Sequence, residues 1–194
     1  MVKYYTGFGD KGFTSIGDSR LSKTDSLLCA IGDIDELNTK IGTLIAVISK
    51  DIDKYAVVSD SRKYSLNDIL MTIQSDLFSI GAYMASLLNK SFAPKRNIGD
   101  SDISKIEAYT NAFGNSFPQL KSFVLPGGCP ESAAADEARA VARRAERSLV
   151  NAANSTKIEN VHVLAYMNRL SSLLFVAARF INHVNDVKET PPDY

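Results

Sequence analysis

The residues best suited to chemistry in this chain are cations and hydrogen-bonding groups rather than a nucleophile with its base. The stretch Ala138-Arg139-Ala140-Val141-Ala142-Arg143-Arg144-Ala145-Glu146-Arg147 holds no helix breaker, and Ala and Arg rank high in helix propensity. At about 100° per residue, Ala134, Ala138, Val141, Ala145 and Leu149 line one apolar face. Arg139, Arg143 and Glu146 gather on another, roughly 130° away by the same count. Such a helix has one side for packing and one for an anion or for solvent. A second candidate is Thr6-Gly7-Phe8-Gly9-Asp10-Lys11-Gly12-Phe13-Thr14-Ser15. Its glycines alternate with hydroxyls, an Asp and a Lys, so backbone N–H groups can turn inward as an anion-binding nest. The G-x-x-x-x-G-K-[ST] pattern of a P-loop is absent. Lys23 places another cation near that loop, and Gly32-Asp33-Ile34-Asp35-Glu36-Leu37-Asn38 packs three acids into one turn, for solvation or as acceptors for an arginine.

Other chemistries fit less well. Glu159-Asn160-Val161-His162 matches one Glu-x-x-His motif of a di-iron bundle, but such a site wants two. The second histidine, His183, has Phe180 three residues before it. Two histidines and two separated cysteines, Cys29 and Cys129, give neither a hydrolase arrangement, a zinc site nor a disulfide framework. The remaining inventory suits binding a polyphosphate and stabilising it with Mg²⁺ carried by the nucleotide, with no metal ligand expected from the protein.

Composition sets the frame. The chain has 194 residues, 45% hydrophobic and 23% charged, with 22 basic against 22 acidic side chains. That length suits one well-buried domain, 1–194, rather than two. Zero net charge argues against general nucleic-acid binding. No apolar run approaches a membrane span and no signal peptide is read at the start, so the expected location is the cytoplasm. For the same reason the N-x-S/T matches at Asn89 and Asn154 are read as accidental.

Apolar spacing supplies the elements that must position these groups. Met1–Tyr5 is short and β-prone. Leu27, Ile31, Ile34, Leu37, Ile41, Leu44 and Ile48 predict a helix over Asp25–Lys50, and Asp51–Lys63 reads as a polar connection. Leu66, Ile69, Ile73, Leu77, Ile80, Met84 and Leu87 predict a second over Ser65–Lys90. A loop over Ser91–Asp100 and a shorter helix over Ser101–Phe113 come next, the latter ending at Gly114. Phe123-Val124-Leu125 is broken by Pro126-Gly127-Gly128, and Pro130 with Glu131 opens a fourth helix to Ala153. The fifth, Lys157–Asn185, carries Leu164, Met167, Leu170, Leu174, Ala178 and Ile181 inward and Asn168-Arg169-Leu170-Ser171-Ser172 along its length. Pro191-Pro192 ends it, and the tail 186–194 is expected to be mobile. With almost no strand, the fold class is all-α, a five-helix up-and-down bundle.

In this order the motifs resemble those of the PduO-type ATP:cob(I)alamin adenosyltransferases, along most of the chain. The resemblance rests on Thr6–Thr14, Gly32–Asn38, Phe123–Gly128, Arg143-Arg144-Ala145-Glu146-Arg147 and Asn168-Arg169-Leu170-Ser171. It implies a homotrimer of bundles with active sites between subunits. The N-terminal segment 1–24, through Thr6, Gly7, Phe8, Gly9, Asp10, Lys11, Gly12, Phe13, Thr14, Ser15 and Lys23, would wrap the ATP triphosphate. Arg143, Arg144, Glu146, Arg147 and Asn168 would complete the nucleotide site, with Arg143 acting on the leaving group. Asp35 and Arg139 match a pair that bridges neighbouring subunits beside it. Phe123 matches the aromatic that crowds the lower face of the corrin and keeps cobalt without its lower ligand.

The implied reaction transfers the 5′-deoxyadenosyl group of ATP to cob(I)alamin and releases triphosphate. A reductase and a B12-dependent enzyme are the partners it suggests. The chain departs from the family pattern at Gly7, where a basic residue is common, at Asp136, where histidine is frequent, and at Ser172, where aspartate is usual. A non-catalytic nucleotide- or partner-binding bundle is the alternative, with the charged stripe serving assembly alone.

Overall fold

The computed structural model describes residues 4–120 and 122–193, so Met1–Lys3 of the β-prone start, Lys121 and Tyr194 lie outside the described residues. Five helices carry the fold: α1 (Ser26–Ile48), α2 (Leu66–Ser86), α3 (Asp100–Gly114), α4 (Pro130–Ser155) and α5 (Val161–Val184). Most begin where a side chain meets an N–H of the helix start, while α4 opens on a proline, which has no N–H to leave unpaired. Asp25 accepts from the Leu27 N–H at 2.9 Å, and Asn160 accepts from the His162 N–H at 3.1 Å. Ser65 opens α2, the Asp102 carboxylate takes the Gly99 N–H at 3.2 Å, and Pro130 is the first residue of α4.

The helices alternate in direction. Against α4, α1 runs antiparallel: Ser26 meets Ser155 (2.7 Å), Asp33 meets Ser148, and Lys40 meets Glu137 (2.5 Å). Along the other flank of α1, Asn38 and Gln74 exchange side chain-to-backbone bonds with α2 at 3.4 and 3.1 Å. Across the core, the Tyr166 hydroxyl of α5 donates to Asp76 of α2 at 2.8 Å. Helix α3 lies along α5, with Phe113 edge-on to Phe180 at 4.8 Å between ring centroids.

Small residues make α4 the central helix. Ala135, Ala138, Ala142, Ala145 and Ala152 are all fully buried, wider than the single predicted face because α4 packs against both α1 and α5. Alanine lets neighbouring backbones approach; a leucine at Ala138 would overpack the contact at a cost of about 1–3 kcal/mol. The predicted stripes of α1, α2 and α5 are buried, except that Ile31, Leu87 and Leu164 are half-buried at the margin. Each fully buried Leu or Ile contributes about 1.5–3 kcal/mol.

Three readings of the sequence are corrected. The connection expected over Asp51–Lys63 contains an antiparallel hairpin, β3 (Ala56–Ser59) with β4 (Arg62–Ser65). Its turn residues Asp60 and Ser61 take φ of 50° and 61°, so the left-handed turn forms without the glycine that usually announces it. Tyr55 and Val57 are buried, which fixes the hairpin on the bundle. The N-terminal loop is likewise part hairpin: β1 (Phe13–Ile16) pairs with β2 (Ser19–Ser22) about Gly17, at φ +57°. Helix α5 starts at Val161, because Asn160 is held outside it by the Tyr83 hydroxyl and the Ile98 carbonyl, each at 3.0 Å.

Residues of the tail bond back to the body of the chain. The Thr190 carbonyl accepts the Leu125 N–H at 2.8 Å, and Glu189 receives three bonds from Arg179, at 3.1, 3.0 and 2.9 Å. Helix α5 has the length and mean hydropathy (1.3) of a membrane span, but that apolarity is spent inside the bundle against α3 and α4.

Candidate functional site

The N-terminal segment folds as a tight loop closed by backbone bonds. The Asp10 N–H reaches Gly7 O at 3.3 Å, Gly12 N–H reaches Gly9 O at 3.2 Å, and Lys23 N–H reaches Gly12 O at 2.9 Å. Gly7 and Gly12 take φ of +74° and +79°, where a Cβ is penalised. Gly7 thus forms a turn with no side chain to offer. The Lys23 ammonium folds over Gly9, 3.0 Å from where a Cβ would stand, so a larger residue there would displace the cation. Phe13, Thr14 and Ser15 belong to β1, and Thr6, Phe8, Gly9, Phe13, Thr14, Ser15 and Arg20 line one hollow of about 230 Å³. Arg20 escaped the reading of the sequence. Its guanidinium lies 5.0 Å from the Phe13 ring centroid, placed there by the hairpin register rather than by sequence proximity.

Thr14 and Lys23 also border a groove of about 640 Å³ between α1 and α2, floored by Leu28, Ile31, Ile34 and Leu77 and bordered by Asp35 and Phe78. Asp35 is exposed on this flank of α1, whereas Asp33, Glu36 and Lys40 face α4. Asn38 is buried at the groove, and its side-chain oxygen is without a hydrogen-bond partner.

On α4 the predicted stripe divides. Arg144 turns to α1, where it donates to Asp33 at 3.2 Å and to Glu36. The bond to Glu36, ahead of the charge of Asp33, raises its pKa and keeps it protonated. Glu146 accepts from Asn168 of α5 at 2.9 Å, which groups those two predicted residues. Arg147 donates to the Arg143 carbonyl at 3.2 Å, while both side chains remain exposed. Arg139 bonds Asp136 at 2.8 Å; the other Asp136 oxygen accepts the Gly127 N–H at 2.9 Å. Asp136 therefore ties Arg139 of the stripe to the Pro-Gly-Gly turn.

Phe123 stands just before that turn and is 79% exposed, which excludes a core role within the chain. Burial pushes the nearby Cys129 thiol up, so that sulfur is a poor nucleophile. Ser172 is exposed.

The two halves of the predicted site lie apart in one chain. Thr14, Lys23 and Asp35 sit on the α2 flank of α1; Arg139 and Glu146 sit on the α5 flank of α4. Among the described residues no hydrogen bond or ion pair joins Thr6–Ser15 or Lys23 to Arg139, Arg143 or Arg147.

A five-helix up-and-down bundle with a glycine-rich loop on one face and an arginine stripe on another is the class of protein that these features define. The model of the family described as cobalamin adenosyltransferase matches residues 4–181. The chain is 40% identical over 195 residues to a corrinoid adenosyltransferase of Mycobacterium tuberculosis, covering 98% of this chain and 94% of that one. It is 34% identical to one of Bacillus subtilis, over 93% and 87% of the two chains. A variant PduO-type ATP:corrinoid adenosyltransferase from Lactobacillus reuteri, complexed with cobalamin and ATP, superposes with a TM-score of 0.82 at 30% identity, over 98% and 96% of the chains. Another variant of that enzyme, complexed with ATP, gives 0.83 at 31%, over 97% and 99%. The chain belongs to the cobalamin adenosyltransferase family and is an enzyme of the ATP:corrinoid adenosyltransferase class.

Proposed function

We propose that the chain carries out this transfer at sites assembled between the subunits of a cytoplasmic homotrimer. The observation that carries the proposal is the separation of the two halves: each chain offers a phosphate loop and an acid, Asp35, on one flank and an unspent arginine, Arg143, on another. Joining the α1–α2 groove of one copy to the α4 stripe of the next would bring them together. It would also offer Arg139 a second acceptor beyond Asp136.

Cob(I)alamin attacks the ribose 5′-carbon of ATP with its cobalt electron pair. A cobalt–carbon bond forms, the 5′-carbon–oxygen bond breaks, and triphosphate leaves with that bond's electrons. The metal goes formally from Co(I) to Co(III), so no external oxidant is needed. Because the nucleophile is strong, no general base is required. The residues of the chain orient the substrates and neutralise charge on the leaving group. Backbone N–H groups of Thr6–Ser15, Lys23, Arg143 and Arg147 would meet the triphosphate, with Glu146 and Asn168 positioning the nucleotide. Mg²⁺, carried by the phosphates, supplies further charge neutralisation. Arg144, already held by Asp33 and Glu36, serves this site by fixing α4 on α1.

Phe123 would lie against the lower face of the corrin. Excluding water and the lower base there favours four-coordinate Co(II), which is easier to reduce. The deciding test is an anaerobic assay with ATP, Mg²⁺ and chemically reduced cobalamin. Formation of the cobalt–carbon product with stoichiometric triphosphate is expected. ATP binding with no product would leave the non-catalytic alternative standing.

A further inference from the structure

The segment that presents Phe123 is an irregular connection between α3 and α4, yet it is fastened at both ends to one face of α5. At its start, Arg179 donates to the Pro118 carbonyl at 3.3 Å, and its guanidinium lies 4.7 Å from the Phe117 ring centroid. At its end, Asn182, 4% exposed, donates to the Gly127 carbonyl at 2.8 Å and accepts from the Cys129 N–H at 3.3 Å. Gly128 there takes φ of +117°, and a Cβ on it would collide with the Asn182 side chain, so turn and asparagine fit only one another.

The chain's end completes the fastening. The Asn182 carbonyl accepts the Val187 N–H at 2.9 Å, which turns the backbone away from α5. Glu189 then returns to grip Arg179 with both carboxylate oxygens, Oε1 taking the Nε–H at 3.1 Å and Oε2 the Nη2–H at 2.9 Å, the two side chains only 18% and 12% exposed respectively. One residue on, Thr190 O takes the Leu125 N–H at 2.8 Å, two positions from Phe123.

We propose that Asn182 and the Arg179–Glu189 pair are positioning residues for adenosyl transfer: they hold Pro118 on one side and Leu125–Cys129 on the other so that Phe123 stands out from the bundle at a fixed height. This rests on the assignment of Phe123 to the lower face of the corrin. The ring has no cover of its own from the bundle, so its stance depends on the backbone grips to either side. A closing motion of a free loop would let it fold back or swing, and water could then reach the cobalt. None of the three residues touches substrate in this arrangement.

The test uses the full chain with ATP and Co(II)cobalamin, reading the four-coordinate fraction by paramagnetic resonance. The variants are Phe123→Ala, Glu189→Lys, Glu189→Gln and Asn182→Asp. Glu189→Lys repels Arg179, and Asn182→Asp replaces the donor to Gly127 by a carboxylate. Each should lower the four-coordinate fraction at least fivefold and kcat with it, while ATP affinity stays within twofold. Glu189→Gln, which keeps the length and one acceptor, should fall between. Amide exchange at Leu125 should be slow in the wild type and fast in Glu189→Lys. Wild-type spectra from Glu189→Lys, with Phe123→Ala defective, would overturn the positioning role and leave Phe123 in place. A wild-type spectrum from Phe123→Ala would overturn the corrin assignment and this inference with it. If Asn182→Asp fails to fold, Glu189→Lys alone decides, since its change lies at the tail and outside the core.

Discussion

Arg143 and Arg144 are neighbours in sequence and point to different duties. Arg144 spans to Asp33 and Glu36 on α1, whereas the Arg143 side chain is exposed on α4. A step of about 100° along a helix is enough to separate them. Arg143→Ala should keep the melting temperature and lose about 2–4 kcal/mol of transition-state stabilisation, the usual cost of removing a charged donor from a developing anion. Arg144→Ala should do the reverse. Its ion pair is partly exposed, so a stability loss of about 0.5–1 kcal/mol is expected, with kcat nearly unchanged. Thermal melting and steady-state kinetics on the two variants check this, and equal activity losses would refute the division.

Assembly is the next expectation. Asp35 and Arg139 carry opposite charges on opposite flanks of the α1–α4 pair, and the proposed trimer would bring them together between copies. Asp35→Arg or Arg139→Asp alone should weaken the trimer in sedimentation and lower activity, and the double exchange should restore part of both. The Arg139 variant also leaves Asp136 without its cation, so the restoration is expected to be incomplete. A chain that sediments as a fully active monomer would sink the intersubunit site.

Much of the fold was legible in the residues alone. The apolar spacing of α1, α2 and α5 marked their core faces, because long amphipathic helices repeat the signal many times. Pro130 with Glu131 marked the start of α4 by chemistry that is local. The β3–β4 hairpin was hidden because Asp60 and Ser61 supply left-handed residues where glycine is the usual sign. Arg20 was hidden because its place beside Phe13 depends on pairing across a turn. The tail's role was hidden for a related reason: Glu189 and Thr190 act through partners ten or more positions away, and the Pro191-Pro192 pair after them suggested only an ending. The motifs that carry the resemblance fall on separate flanks of the bundle, a placement that depends on tertiary packing and not on spacing along the chain.

Stability should depend on pH through the buried Asp76. Burial raises its carboxyl above the ordinary 3.8, against the Tyr166 hydrogen bond and the charge of Arg96. Across the window above 3.8 the folded state therefore binds more protons than the unfolded one, and stability falls as pH rises through that window. Asp102 works in the opposite sense. Burial alone would raise its carboxyl, but the Gly99 N–H, Arg96 and Lys105 together outweigh that and lower it, so its stabilisation is lost as pH falls below 3.8. Asp76→Asn should remove the decline on the weakly acid side and leave the loss at low pH. Urea unfolding at closely spaced pH values reads both limbs, and an unchanged upper limb in the variant would contradict the assignment. Tyr166→Phe leaves a buried carboxylate oxygen without its donor and should cost about 1–3 kcal/mol.

Phe123 gives the sharpest contrast between a packing role and a chemical one. Removal of a buried Phe costs about 3–5 kcal/mol, but this ring is 79% exposed and its loss from the free chain should leave the stability within about 0.5 kcal/mol of wild type. Trimer formation and ATP binding should survive, since neither the N-terminal loop nor the α4 stripe bonds to it. What should change is the cobalt. Without the ring, water or the lower base can stay on Co(II), reduction to the Co(I) nucleophile becomes harder, and product forms slowly even with ATP saturating. Supplying pre-reduced cob(I)alamin should then recover more of the rate in Phe123→Ala than in Arg143→Ala, because the first lesion precedes the attack on the 5′-carbon and the second lies in it. Parallel assays started from Co(II) with a reductant and from Co(I) directly make the comparison. Equal recovery in the two variants would show that Phe123 acts on the transfer step itself and not on the ligation of cobalt.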